Sequence, residues 1–245
     1  IDRLLSRIQA AWPVSADAEI TLEANPGTLE AGKFRGFRQA GVNRLSIGIQ
    51  SFDEACLERL GRIHDRAAAL RAVDSARDAG FTRFNLDLMF GLPAQTEAMG
   101  WADIETAIAL NPPHLSYYQL TLEPNTLFHK YPPRLPEEDA VWDIQKAAQT
   151  RLASAGYQQY EVSAYAQPGF ECQHNLNYWQ FGDYLGIGAG AHGKLTDPAT
   201  GQVTRTTKTR HPEHYLHLSG QPAHYTRREI VPETQYVFEF LMNHL

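Results

Sequence analysis

The chain has 245 residues, 43% hydrophobic and 20% charged, proportions that fit one α/β domain with an appendage or two small domains. Its 28 acidic and 22 basic residues give a net charge of −6 without any basic block, which argues against nucleic acid as the main partner. No apolar run approaches the ~18 residues of a membrane span, no signal peptide is visible, and Cys56 and Cys172, lacking C-x-x-C spacing, make no disulfide framework. A reducing, cytoplasmic setting is therefore expected. Two cysteines alone cannot hold a structural zinc or an iron–sulfur cluster, which need three or four protein ligands.

The chain opens with Leu4, Leu5, Ile8 and Trp12 on one helical face and closes inside the apolar pattern "YVFEFLMNHL". Both ends read as interruptions of a longer protein. Between them, strand patterns alternate with helices. The strands are "AEITLEANP", "RLSIGIQSF", "RFNLDLMFGLP" and "HLSYYQLTLEP". Ser51 with Glu54 fits a capping box, Asp65 caps a helix ending at Gly80, Thr96 caps one carrying Trp101, Ile104 and Ile108, and Pro136 fits the first turn of a helix ending at Gly156. This alternation predicts a parallel sheet with crossover helices over residues 1–165. "YQQYEVSAYA" reads as a further strand. Residues 166–225 form an irregular lid or extension, "GQPAHYTRREIVPET" reads as a linker, and 226–245 begins a truncated helical domain.

In parallel α/β folds, function gathers at the C-terminal strand ends. Glu23 and Asn25 end the first strand, and Gln50 and Ser51 the second. Asp87 lies on the third, while Gln119, Thr121 and Glu123 end the fourth. Any one of these is compatible with a merely solvated strand end. Four in succession point to a small-molecule site in a common mouth. Arg62 adds a guanidinium suited to a ligand carboxylate, although alone it reads as a surface ion-pair partner.

"ECQHNLNYWQFGDYLGIGAGAHG" (171–193) combines His174, Asn175 and Tyr178 with further aromatic residues and four glycines. Its glycine spacing does not match a dinucleotide fingerprint. Small residues there allow backbone to approach a bulky ligand. On the residues alone, the ordinary reading of His174 is a polar residue capping a short helix. "HPEHYLH" places His211, His214 and His217 at a spacing that reads as solvated histidines rather than a metal site.

The segments "LEANPGT", "GVNRLSIGIQSFD", "LGRIHD", "FNLDLMFGLPAQT", "HLSYYQLTLEPNT" and "HNLNYW" resemble the oxygen-independent coproporphyrinogen oxidase-like branch of the radical SAM superfamily, most nearly the HemW-type haem chaperones. The resemblance covers nearly the whole chain. It implies a partial TIM-like (β/α)₆ barrel, its N-terminal units missing, with a C-terminal extension. It implies S-adenosylmethionine and a [4Fe–4S] cluster as cofactors, but the family's C-x-x-x-C-x-x-C motif and its G-G-G-T-P turn are absent, so the cluster ligands are expected upstream of Ile1.

Matched residue by residue, the S-adenosylmethionine pocket would contain Glu23, Gln50, Arg62, Asp87, Thr121 and His192. The motif His174, Asn175 and Tyr178 would handle haem, with His174 as an axial ligand to the iron and Asn175 orienting its imidazole. The implied function is a haem chaperone that delivers haem to acceptor proteins. The resemblance is compatible with a dimer and with peripheral membrane contact. The alternative within the family is a coproporphyrinogen III oxidase. Thr121 stands where the oxidases often carry a smaller residue and His192 where they carry an aliphatic one, so catalysis does not transfer directly. Outside the family, a TIM-like sugar or phosphate enzyme lacks its acid/base pair and phosphate turn.

Overall fold

The computed structural model describes residues 1–27 and 33–242. Thr28 of "LEANPGT" and the last three residues of "YVFEFLMNHL" lie outside the described residues. The chain divides into two compact units, residues 1–171 and 172–245.

The first unit begins with helix α1 (Asp2–Ala11) and strand β1 (Thr21–Ala24). Helix α2 (Phe34–Gln39), strand β2 (Arg44–Gln50) and helices α3 (Glu54–Arg59) and α4 (Arg66–Asp78) follow. Next come β3 (Arg83–Phe90), α5 (Glu97–Ala109), β4 (His114–Gln119), α6 (Leu127–Lys130) and α7 (Glu138–Ser154). The short strands β5 (Gln158–Gln159) and β6 (Ala164–Ala166) close the unit. The sheet order is β1-β2-β3-β4-β6-β5. Strands β1 to β4 run parallel, as the alternating pattern predicts. The segment expected to be one further strand is two short ones, and β6 runs antiparallel to both β4 and β5, so the sheet is mixed.

Side-chain alternation along the strands divides the sheet into two faces. Leu45, Ile47 and Ile49 of β2, Phe84, Leu86, Leu88 and Phe90 of β3, and Leu115 and Tyr117 of β4 pack into one core with Ala69, Ala72, Val73, Ile104, Ile144 and Leu152 from the helices. Each large side chain so buried contributes about 1.5–3 kcal/mol. The opposite parity carries Glu23, Ser46, Gly48, Asn85, Asp87, His114, Ser116 and Tyr118. Register places Glu23 opposite Ser46, Ser46 opposite Asn85, and Asp87 opposite Ser116.

Caps set the helix starts. Asp65 accepts from the Ala68 amide and Thr96 from the Met99 amide, as expected. The expected Ser51 cap is corrected: Asp53 caps α3 by accepting from the Cys56 amide, while the Ser51 hydroxyl donates to buried Asp103 at 2.6 Å. Pro136 precedes the α7 N-cap, Glu137, instead of lying in the first turn.

The second unit holds helix α8 (Gln173–Trp179), an antiparallel sheet of β7 (His192–Thr196), β8 (Val203–Lys208) and β9 (Tyr225–Ile230), and helices α9 (Pro212–His217) and α10 (Glu233–Met242). Strand β9 occupies the segment expected to be a linker, its backbone paired with β8.

Candidate functional site

The polar face of the first unit is built around a backbone irregularity. Between Ile47 and Gln50 strand β2 spends one residue more than β3, whose partners are Leu86 and Leu88. Such a bulge re-aims side chains near sites. Gln50 emerges with φ 69°, a left-handed conformation uncommon outside glycine, and its side chain turns onto the polar face. Gly48 makes room for it: a Cβ there would stand 2.9 Å from Gln50 Nε2 and 3.4 Å from Asn25 Oδ1. The Tyr118 hydroxyl donates to Gln50 Oε1 at 2.9 Å and ties β4 to β2 across β3.

Asp87 sits on β3 beside this pair. Its Oδ2 accepts from the Ser46 hydroxyl at 3.0 Å and its Oδ1 from Asn85 Nδ2 at 2.6 Å. Burial pushes its carboxyl above the ordinary value; the bonds from Ser46, Asn85 and Ser116 oppose the shift, and the nearby Glu23 charge adds to it. Tyr118 is likewise raised by burial, with Asp87 and Glu23 raising it further and Arg62 lowering it. Glu23, Gln50, Asp87, Tyr118 and Arg62 therefore share one electrostatic neighbourhood. Arg62 is exposed in the loop after α3, which is anchored where His64 Nε2, buried, donates to the Ile49 carbonyl at 3.0 Å. Thr121 lies two residues beyond β4, exposed, its hydroxyl donating to Glu123 Oε1 at 2.9 Å. The arrangement offers carboxylates for a cation or hydroxyl, a guanidinium for an anion, and an amide that can do either.

Tyr118, Ser46, Asn85, Ser116 and His114 are functional candidates that a reading of strand ends alone passes over. Their signal is parity: His114, Ser116 and Tyr118 alternate with apolar Leu115 and Tyr117, which marks a polar face along the whole strand.

In the second unit, His174 and Tyr178 stand one turn apart on α8, both exposed, with ring centroids 4.5 Å apart edge-to-face. Tyr178 meets Tyr184 in the same way at 4.8 Å. Burial, with Tyr184 adding, raises the Tyr178 phenol above its ordinary value. Asn175 is half-buried on the same helix. Lys194, 3% exposed, pins the chain after α8: its Nζ donates to the Phe181 carbonyl at 2.7 Å and to Asp183 Oδ1 at 3.3 Å, and lies 3.8 Å from the Phe181 ring centroid. His192 begins β7, exposed, its Nδ1 3.2 Å from the Thr207 hydroxyl. The His211 and His214 rings lie 4.8 Å apart, tilted by 42°, and among the described residues no group of three or more His, Cys, Asp or Glu side chains is arranged to hold a metal ion.

The first unit thus sets four parallel strands of a mixed sheet between a helix-packed core and a polar face. Residues 1–107 match the radical SAM superfamily. The chain is 56% identical over 240 residues to the heme chaperone HemW of Escherichia coli strain K12, 54% over 240 residues to that of Haemophilus influenzae, and 36% over 226 residues to that of Bacillus subtilis strain 168. These alignments cover 98%, 98% and 90% of this chain but 62%, 61% and 58% of the relatives. The chain thus spans about three fifths of their length. The structure of coproporphyrinogen III oxidase (HemN) from Escherichia coli superposes with a TM-score of 0.83 at 23% identity, covering 98% of this chain and 58% of that one, which establishes the fold. The chain is thus similar to the radical SAM superfamily over residues 1–107 and to HemW-type heme chaperones over nearly its whole length.

The radical SAM match implies S-adenosylmethionine and a [4Fe–4S] cluster. The polar face fits the former: it carries the carboxylates of Glu23 and Asp87 with the Arg62 guanidinium in the same electrostatic neighbourhood, the complement of a ligand with an ammonium, a carboxylate and hydroxyls. The cysteines do not fit the latter. Cys56 is buried, its thiol pushed up to about 12 by burial and by the Asp53 and Asp103 charges, and Cys172 is buried in the other unit. No cluster step is assigned to these residues. Among the described residues, no helix is long and apolar enough to cross a membrane.

Proposed function

We propose that the chain is part of a haem chaperone that binds haem and delivers it to acceptor proteins, on a scaffold whose first unit seats S-adenosylmethionine. The observation that carries the haem half is the exposed His174–Tyr178 pair, held edge-to-face on α8 inside the H-N-x-x-Y stretch. An exposed imidazole supplies an axial ligand to haem iron, and the Tyr178–Tyr184 rings extend an aromatic edge beside it. The buried Lys194 clamp keeps the following chain in register, so the motif is presented from a fixed base.

In the first unit, Glu23 and Asp87 are assigned to the ligand's donors, Arg62 to its carboxylate, and Gln50 to orientation. Thr121 completes the assignment by family position, while His192, the sixth residue so assigned, belongs to β7 of the second unit. The names carried by the relatives, heme chaperone HemW, support this reading over oxidase chemistry. A cytoplasmic setting accords with two unbridged cysteines.

The test is a haem titration of the intact protein followed in the Soret region. His174→Ala is expected to lose the ligated spectrum and weaken binding, while Tyr178→Phe keeps the axial ligand and alters mainly affinity. Parent-like spectra in His174→Ala would remove the axial assignment.

A further inference from the structure

We infer that Asn85, His114 and Tyr160 are positioning residues which present Asp87 to its ligand as a fixed hydrogen-bond acceptor. The inference rests on the S-adenosylmethionine reading of the polar face. Four groups form one continuous line. Tyr160 Oη lies 2.7 Å from His114 Nε2, His114 Nδ1 lies 2.7 Å from Asn85 Oδ1, and Asn85 Nδ2 lies 2.6 Å from Asp87 Oδ1. Asn85 Nδ2 also donates to Ser46 Oγ at 2.8 Å, Ser46 Oγ donates to the other Asp87 oxygen, and the Ser116 hydroxyl donates to Asn85 Oδ1 at 3.2 Å.

The chemistry of the groups fixes the direction of this line. An ionised carboxylate only accepts, so the Asn85 amide must turn its NH₂ towards Asp87. Its carbonyl then faces His114, which must carry its proton on Nδ1. Nε2 is left as an acceptor, and the Tyr160 hydroxyl fills it. A single neutral tautomer satisfies every atom. Burial, with the Arg44 and Arg83 charges, pushes the His114 imidazole down to about 3, so it stays neutral across the working range.

His114 and Asn85 are each 2% exposed. Burying an imidazole and an amide in a sheet that otherwise packs with Leu, Ile and Phe costs stability unless every atom is paired. The pairing here converges on one carboxylate. Both Asp87 oxygens are held by donors from within the sheet, which stops the side chain rotating. The carboxylate retains acceptor capacity, since its two oxygens offer about four lone-pair sites. The far end of the line, Tyr160, is 73 positions from Asp87, so the device is assembled only by the fold. Its role is to fix orientation and not to touch the ligand.

The experiment is calorimetric titration of the intact protein with S-adenosylmethionine, in parent, Asp87→Asn, His114→Phe, His114→Gln and Tyr160→Phe, each checked for folding by thermal melting. His114→Phe is expected to weaken binding about tenfold, the scale of one misaligned charge-assisted hydrogen bond. His114→Gln, whose amide can donate to Asn85 and accept from Tyr160, is expected to restore affinity to within about twofold, which a purely packing role for the ring would not produce. Tyr160→Phe, which keeps the ring and frees the tautomer, is expected to weaken binding about threefold and decides the matter if His114→Phe does not fold. Parent-like affinity in folded His114→Phe or in Tyr160→Phe overturns the inference, as does His114→Gln no better than His114→Phe. Parent-like affinity in Asp87→Asn sinks the underlying site, a different failure from that of the line behind it.

Discussion

Tyr118 and Gln50 meet across an intervening strand: the phenol of β4 donates to the side-chain carbonyl of β2 at 2.9 Å, over the polar face of β3. Gln50 is 5% exposed and holds φ 69°, so its placement costs backbone strain and the desolvation of an amide. Tyr118→Phe leaves that amide oxygen without its donor. The variant is expected to be about 1–2 kcal/mol less stable in denaturant titration and to bind S-adenosylmethionine more weakly. Unchanged stability together with unchanged binding would mean that the hydroxyl contributes nothing to the site.

Asp103 gives the first unit a pH signature. Burial pushes its carboxyl from 3.8 up to about 6, against the bonds from Ser51 and the Phe52 amide. A folded-state value above the unfolded one favours the protonated form, so the stability it contributes is complete below about pH 4 and is lost as pH rises through about 6. Asp103→Asn cannot ionise, yet can accept from Phe52 and donate to Ser51. Its stability advantage over the parent should therefore grow from pH 4 to pH 7, by on the order of 2 kcal/mol, and stay level above. Urea unfolding at several pH values checks this, and parallel profiles for the two proteins would rule it out.

Much of this was legible in the sequence. Strands β1 to β4 and their parallel pairing follow from apolar runs bounded by turns, and the Asp65 and Thr96 caps from residue type alone. Glu23, Gln50 and Asp87 were visible as polar residues at strand ends. What was not legible depended on pairing between distant segments. Ser51 looks like a cap, but Asp103, 52 positions away, takes its hydroxyl while Asp53 takes the helix. The β5–β6 reversal turns on a short hairpin whose polar composition resembles a loop. "YTRREI" reads as a linker because its charges mask an edge strand that needs β8 to form. The line from Tyr160 to Asp87 joins residues no local pattern connects.

Lys194 tests the second unit. Its ammonium is buried and satisfied by the Phe181 carbonyl, Asp183 and the Phe181 ring. Lys194→Met keeps the bulk and removes the donors, stranding the Phe181 carbonyl, while the exposed Asp183 carboxylate keeps its bonds from the Thr196 amide and hydroxyl. A loss of about 1–2 kcal/mol is expected, the scale for one lost hydrogen bond from a charged donor. Hydrogen exchange should speed up first in the segment after α8. A variant as stable as the parent, with unchanged exchange there, would show that the clamp is not what holds the segment.

The central claim is that the polar face of β1–β4 seats S-adenosylmethionine. The direct measurement is the affinity of intact Glu23→Gln for S-adenosylmethionine by calorimetry, with haem titrated into the same variant as a control. The account predicts at least about tenfold weaker S-adenosylmethionine binding, the loss of a charged acceptor, with haem binding unaltered. Parent-like affinity for S-adenosylmethionine in a folded Glu23→Gln protein would contradict it.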